Sequence, residues 1–296
     1  MLRYAPLSAD NYIRNRKAFA DALAPGALSL FSSNDTYPTG ADGTLPFRQD
    51  SNMLHMCGVD QEETVLLIFP NAHNAADREI LFVTETSPEI AIWEGAKLTK
   101  AQATAQTGVK NIQWLSMLER TIQRLVTECS CCYLHQNEHT RAKVVVETRE
   151  ARFNQWFTET YPHVRVERSA PILHRLRSVK SEEEIERMRH ACNITRDGFN
   201  RVLKFVKPGV TEFEVEAEYL HEFVRKGSRG FAYTPIVASG ANACVLHYIE
   251  NSAACKAGDV LLMDVGAEYG NYASDMTRCL PVSGRFTDRQ RKVYDA

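Results

Sequence analysis

Leu261-Leu262-Met263-Asp264-Val265-Gly266 and Tyr272-Ala273-Ser274-Asp275-Met276-Thr277 read as two strands of a hairpin, each carrying one aspartate. A two-residue turn at Tyr269-Gly270 sets Glu268 opposite Asn271 and Ala267 opposite Tyr272. Continued inward, that register sets Asp264 directly opposite Asp275. Opposed residues hold their Cβ atoms about 4.5–5.5 Å apart, and like charges there repel. Leu262, Val265 and Met276 supply apolar neighbours. The carboxylates therefore need a cation, a shared proton or extra donors. Thr277 lies two residues past Asp275, faces the same side, and offers a supporting hydroxyl. The alternative is two partly exposed acids on a wet hairpin. Spacing alone carries no weight: Asp10 and Asp21 share it, yet on a helix they stand roughly 16 Å apart, too far to share an ion. Oxygen donors favour Mn²⁺, Mg²⁺ or Zn²⁺. Two carboxylates are too few for a hydrolytic pair of metals.

Working back from the hairpin, the second half of the chain opens with two helices. Ser181-Glu182-Glu183-Glu184 and Thr211-Glu212-Phe213-Glu214 are capping boxes, in which hydroxyl and carboxylate each accept a bond from an orphan N–H. Lys207-Pro208-Gly209 stops the first helix. After Gly230 the pattern turns to strands at 232–239, 245–248, 259–266 and 272–281. A further helix begins near the last residues. The first half mixes helices and strands. A helix capped by Ser8 runs to about Ala24, and strands follow at 27–31, 53–59, 64–69 and 79–84. Helices are expected at 100–106, 115–127 and 143–160, with strands near Asn111 and Tyr133. The stretch 34–46 is an excursion loop. The whole is α/β (α+β), with domains at 1–170 and 171–296.

The 296 residues balance 35 Lys and Arg against 37 Asp and Glu, a net charge of −2. That balance supplies no general field for nucleic acid or an anionic membrane. The longest aliphatic runs fall far short of the roughly 18 residues that span a bilayer. The N-terminus lacks an apolar signal core. A cytoplasmic protein with eight free thiols is the expectation. Cys129, Cys131 and Cys132 cluster, but no second pair completes a structural zinc spacing.

His247, near the end of a short expected strand, is either structural or a donor to a substrate carbonyl. His135-Gln136-Asn137-Glu138-His139 matches the pattern H-x-x-E-H, which binds zinc when both histidines share a helix face. It follows strand-like residues, so a polar loop is the expectation.

Several further stretches accompany these residues: Tyr37-Pro38-Thr39-Gly40, Phe47-Arg48-Gln49-Asp50-Ser51, Trp93-Glu94-Gly95-Ala96-Lys97-Leu98, Leu176–Ile185, Ser239-Gly240-Ala241-Asn242, Leu246–Asn251, Gly258-Asp259 and Tyr272–Arg278. With them the chain resembles the aminopeptidase P family of pita-bread metallopeptidases. The resemblance implies a creatinase-like mixed-sheet α/β domain followed by the first half of a pita-bread catalytic domain. It implies removal of the residue preceding proline from peptides with proline at the second position. It also implies two metals, usually Mn²⁺, with Asp264 chelating one and Asp275 bridging both. His247 would be catalytic and substrate-binding, near the scissile carbonyl, and Thr277 would support the metal ligands. Trp93 would reach a neighbouring subunit's site, which makes a homo-oligomer the expectation.

The family's remaining ligands, one His and two Glu, find no counterpart here. The expectation is a truncated, inactive form with half a core and exposed apolar faces. Prolidase-type dipeptidases and creatinases share the architecture, but the stretches at 37–51 and 93–98 favour aminopeptidase P. A non-catalytic pita-bread peptide-binding module is the alternative from another class.

Overall fold

The computed structural model describes residues 3–139 and 145–296. Among the described residues, contacts define one unit within 6–180 and a second at 181–296, which also takes in residues 3–5.

The first unit is built on a six-stranded mixed sheet. Its strands are β1 (Ala27–Ser32), β2 (Val65–Ile68), β3 (Glu79–Val83), β4 (Asn111–Trp114), β5 (Cys131–Leu134) and β6 (Arg165–Arg168), in the order β4-β3-β2-β1-β5-β6. Alternation sorts the central strands between two cores. Leu28, Leu30, Val65, Leu67, Ile80 and Phe82 face one core. Phe31, Leu66, Ile68, Leu81 and Val83 face the other. Helices α1 (Ala9–Ala20), α2 (Ser51–Cys57), α3 (Pro88–Glu94), α4 (Lys100–Thr107), α5 (Leu118–Leu125), α6 (Arg149–Thr160) and α7 (Ala170–Ser178) complete the unit. Helix α7 belongs here because Leu173 is buried in the second core.

Two expectations in this unit are corrected. Residues 53–59 are not a strand: they lie mainly in α2, whose N-cap Asp50 accepts from Asn52 N and Met53 N and whose chain leaves through Gly58 at φ 68°. Caps at both ends outweigh a short apolar run that periodicity cannot assign. The helix expected from Lys143 starts at Arg149, with Thr148 as its N-cap. Residues 140–144 lie outside the described residues.

In the second unit, α8 (Glu182–Phe205) and α9 (Glu212–Arg225) both carry the expected capping boxes. They cross at Gly198, where a Cβ would come within 2.8 Å of the Phe223 ring. They pack on an antiparallel sheet of β7 (Ile236–Ser239), β8 (Val260–Val265) and β11 (Met276–Pro281), in the order β11-β8-β7. The short pair β9 (Glu268–Tyr269) and β10 (Tyr272–Ala273) forms the hairpin tip, and α10 (Asp288–Tyr294) follows. Residues 245–248 are not a strand but a turn after a 3₁₀ helix at Gly240–Cys244. Tyr248 is instead buried against Ile236 and Ala238. Among the described residues no helix is long and apolar enough to cross a membrane. All eight cysteines are free.

Candidate metal centre

Strand β8 sends Leu261, Met263 and Val265 into the core beneath the helices, all fully buried. By alternation Leu262 and Asp264 project from the opposite face. Partner strands place Ile236 and Thr277 on either side of Asp264.

The hairpin register differs from the expected one. Tyr272 pairs with Tyr269, Met276 with Val265, and Thr277 with Asp264. The turn residues are Gly270 and Asn271, at φ 60° and 67°. A tight hairpin turn with both central residues at positive φ suits Gly and Asn, whereas a turn at Tyr269-Gly270 would force a bulky aromatic there. The register therefore moves by two residues, and Asp275 is not directly opposite Asp264. A slip of two preserves the faces, since side chains alternate with period two.

The chain between β10 and β11 is fixed from below. Thr195 Oγ1 lies 2.7 Å from Ser274 Oγ and accepts from Ala267 N at 2.8 Å. Ser274 N and Oγ both donate to Ala267 O at 3.0 Å. A Cβ on Gly266 would sit 1.8 Å from Ser274 O, so only glycine fits.

Tyr233 joins the two acids. Its hydroxyl lies 2.5 Å from Asp264 Oδ1, to which it donates, and 3.1 Å from Asp275 Oδ1. Burial and the two carboxylates push the Tyr233 hydroxyl well above the usual phenol range. Asp264 is half-buried while Asp275 is exposed, so the apolar neighbours shield the pair less than expected. The second oxygen of each carboxylate remains for a hard divalent cation, and the donor set fits such an ion. Thr277, opposite Asp264, is exposed.

His247 stands exposed in the turn that follows the 3₁₀ helix. Its segment is held by Glu212, the fully buried first residue of α9. Glu212 Oε1 accepts from Ser239 N at 2.7 Å and Asn242 Nδ2 at 3.1 Å. Oε2 accepts from the Tyr248 hydroxyl at 2.7 Å and Ala253 N at 2.8 Å. One carboxylate thus clamps residues 239–253 at four points. Neither Tyr233 nor Glu212 is marked by the sequence as part of a site. Glu212 reads there as a capping-box residue, and Tyr233 lies 31 and 42 residues from its two acids.

In the first unit, Trp93 on α3 is 90% exposed. The H-x-x-E-H stretch is coil, as expected: His135 is buried, His139 is exposed, and Glu138 pairs with Arg168 rather than sharing a helix face with either histidine.

Residues 12–134 match the aminopeptidase P N-terminal domain, and residues 186–296 match metallopeptidase family M24. The chain is 32% identical to Xaa-Pro aminopeptidase of Escherichia coli K12 over 291 residues, covering 98% of this chain and 66% of that protein. It superposes on Pseudomonas aeruginosa aminopeptidase PepP with a TM-score of 0.88 at 28% identity, over 99% of this chain and 66% of that one. Zn-substituted E. coli aminopeptidase P in complex with product gives a TM-score of 0.84 at 32% identity, over 98% and 66%. The fold and the two matched domains are those of a metallopeptidase. The chain belongs to the aminopeptidase P family within M24, and it spans about two thirds of the length of these relatives.

Proposed function

We propose that the chain serves Xaa-Pro aminopeptidase chemistry, the release of an N-terminal residue from peptides with proline at the second position. The observation that carries this reading is the meeting of Asp264 and Asp275 on the Tyr233 hydroxyl. It occurs in a chain 32% identical to an Xaa-Pro aminopeptidase. Asp264 and Asp275 would hold the metal, with Mn²⁺ as the ion. Such ions, when bound, polarise the scissile carbonyl and lower the pKa of water.

The protein's own groups have separable tasks. Tyr233 holds the two carboxylates on one hydroxyl and so fixes their orientation before an ion arrives. Thr277 flanks Asp264 from the neighbouring strand. His247 is read as the donor to a substrate carbonyl, and its exposure on a segment that Glu212 holds supports that reading. Trp93 is read as a substrate contact supplied to a neighbouring copy, which makes the assembly a homo-oligomer. Its 90% exposure beside Ile92 at 78% supports that reading.

The test is a Mn²⁺ titration of the purified chain, coupled to binding of a Gly-Pro-Leu peptide against Gly-Ala-Leu. The expected result is Mn²⁺ binding that Asp264→Asn and Asp275→Asn each abolish, with preference for the proline peptide. Mn²⁺ binding unchanged in both variants, or no preference for proline, overturns the reading.

A further inference from the structure

Away from Asp264, the first unit brings a second donor set together. Asp50, the N-cap of α2, His135, just after β5, and Glu150, in the first turn of α6, each offer one ligand atom, and these atoms all lie within 4.8 Å of one another. His135 Nε2 lies 3.5 Å from Asp50 Oδ2 and 3.5 Å from Glu150 Oε2. Those separations are long for hydrogen bonds. They match two ligands at a tetrahedral angle around an ion about 2.1 Å from each, which stand roughly 3.4 Å apart.

The three side chains are already oriented. Asp50 Oδ1 is taken up by Asn52 N at 2.8 Å and Met53 N at 2.9 Å, which turns Oδ2 toward the histidine. Glu150 Oε1 accepts from Asn137 N at 2.7 Å, which turns Oε2 the same way. The His135 side chain is 4% exposed, stacks on Phe31, and has its carbonyl held by Asn154 Nδ2 at 2.8 Å. Preorganised ligands of this kind are what outer contacts give a metal site.

We propose that Asp50, His135 and Glu150 form a divalent-cation site in the first unit, taking Zn²⁺ through one imidazole nitrogen and two carboxylate oxygens. One nitrogen and two oxygens suit a borderline ion, and two carboxylates neutralise its charge in a place where Arg177 is the neighbouring cation. Two groups compete for the same position. Asn52 Nδ2 lies 2.9 Å from Nε2, while its Oδ1 accepts from Arg177 at 2.7 Å, so the amide must swing aside when the ion enters. The other competitor is a proton. Burial disfavours the imidazolium, but the Asp50 and Glu150 carboxylates outweigh it and hold His135 above its usual range. An imidazolium clamp without metal is thus the outcome that the experiment must separate.

The experiment uses the full chain carrying Asp264→Asn and Asp275→Asn, which removes the other candidate centre and keeps this test independent of the proposed function. The metal-free protein is titrated with Zn²⁺ by calorimetry, and retained zinc is measured by mass spectrometry after dialysis. One equivalent is expected. His135→Asn should release it. Glu150→Gln, which keeps the amide contact from Asn137 and leaves the circular dichroism unchanged, should weaken it at least 10-fold. No zinc retained by the Asp264→Asn/Asp275→Asn chain, or an affinity unchanged by Glu150→Gln, overturns the proposal.

Discussion

The Tyr233 hydroxyl donates to Asp264 Oδ1 at 2.5 Å and lies 3.1 Å from Asp275 Oδ1, so a single proton stands between two carboxylates that strand register alone does not pair. A hydrogen bond to a charged group contributes about 1.5–3 kcal/mol, and Asp264 is only half-buried, which favours the lower end. In the metal-free protein Tyr233→Phe is expected to cost about 1–2 kcal/mol in urea unfolding. The double variant with Asp264→Asn should show coupling of similar size. Coupling below about 0.3 kcal/mol would remove Tyr233 from the account.

Glu212 is the firmest anchor around His247. Glu212→Ala leaves four donors without their acceptor in a buried place, at about 1–3 kcal/mol for each group left unpaired. The expected loss is at least about 3 kcal/mol, with new proteolytic cleavage between Ser239 and Ala253. Tyr248→Phe removes one of the four bonds and should cost about 1–2 kcal/mol without opening the segment. Unchanged cleavage in Glu212→Ala would show that the clamp does not hold the loop.

Gly266 has no room for a side chain, because the atom in the way is the Ser274 carbonyl oxygen rather than a flexible group. Gly266→Ala should destabilise the second unit by about 3 kcal/mol. At the hairpin tip, Asn271→Gly should be tolerated and Asn271→Val should cost about 1–2 kcal/mol, since a β-branched residue resists positive φ. Equal stability of those two tip variants would argue against the Gly270-Asn271 turn.

The cysteines should separate by reactivity. Burial pushes the Cys57 thiol up to about 11 and raises Cys132 as well. At pH 8 only about one Cys57 in a thousand is thiolate, and its sulfur is inaccessible. Exposed Cys192 and Cys244 should alkylate first with iodoacetamide in the native protein, and Cys57 and Cys132 only on unfolding. Mass spectrometry of the labelled peptides checks this. Early labelling of Cys57 would mean that α2 is not packed as described.

By itself the sequence determined the features governed by local chemistry. The capping boxes at Ser181 and Thr211 fix helix starts through contacts three residues apart. The apolar alternation of β8 fixes which face Asp264 occupies. Balanced charge and eight unpaired cysteines follow from composition and context. Tertiary structure decided whatever depended on distant partners or on competition between local signals. The apolar run at 53–59 became helical because Asp50 and Gly58 cap it. The hairpin register followed the positive-φ preference of Gly270-Asn271, two residues from the expected pairing. Tyr233, Glu212 and the Asp50–His135–Glu150 cluster meet across separations that no one-dimensional pattern encodes. Their positions are set by chain topology, and only there do distance and burial turn separate polar residues into sites.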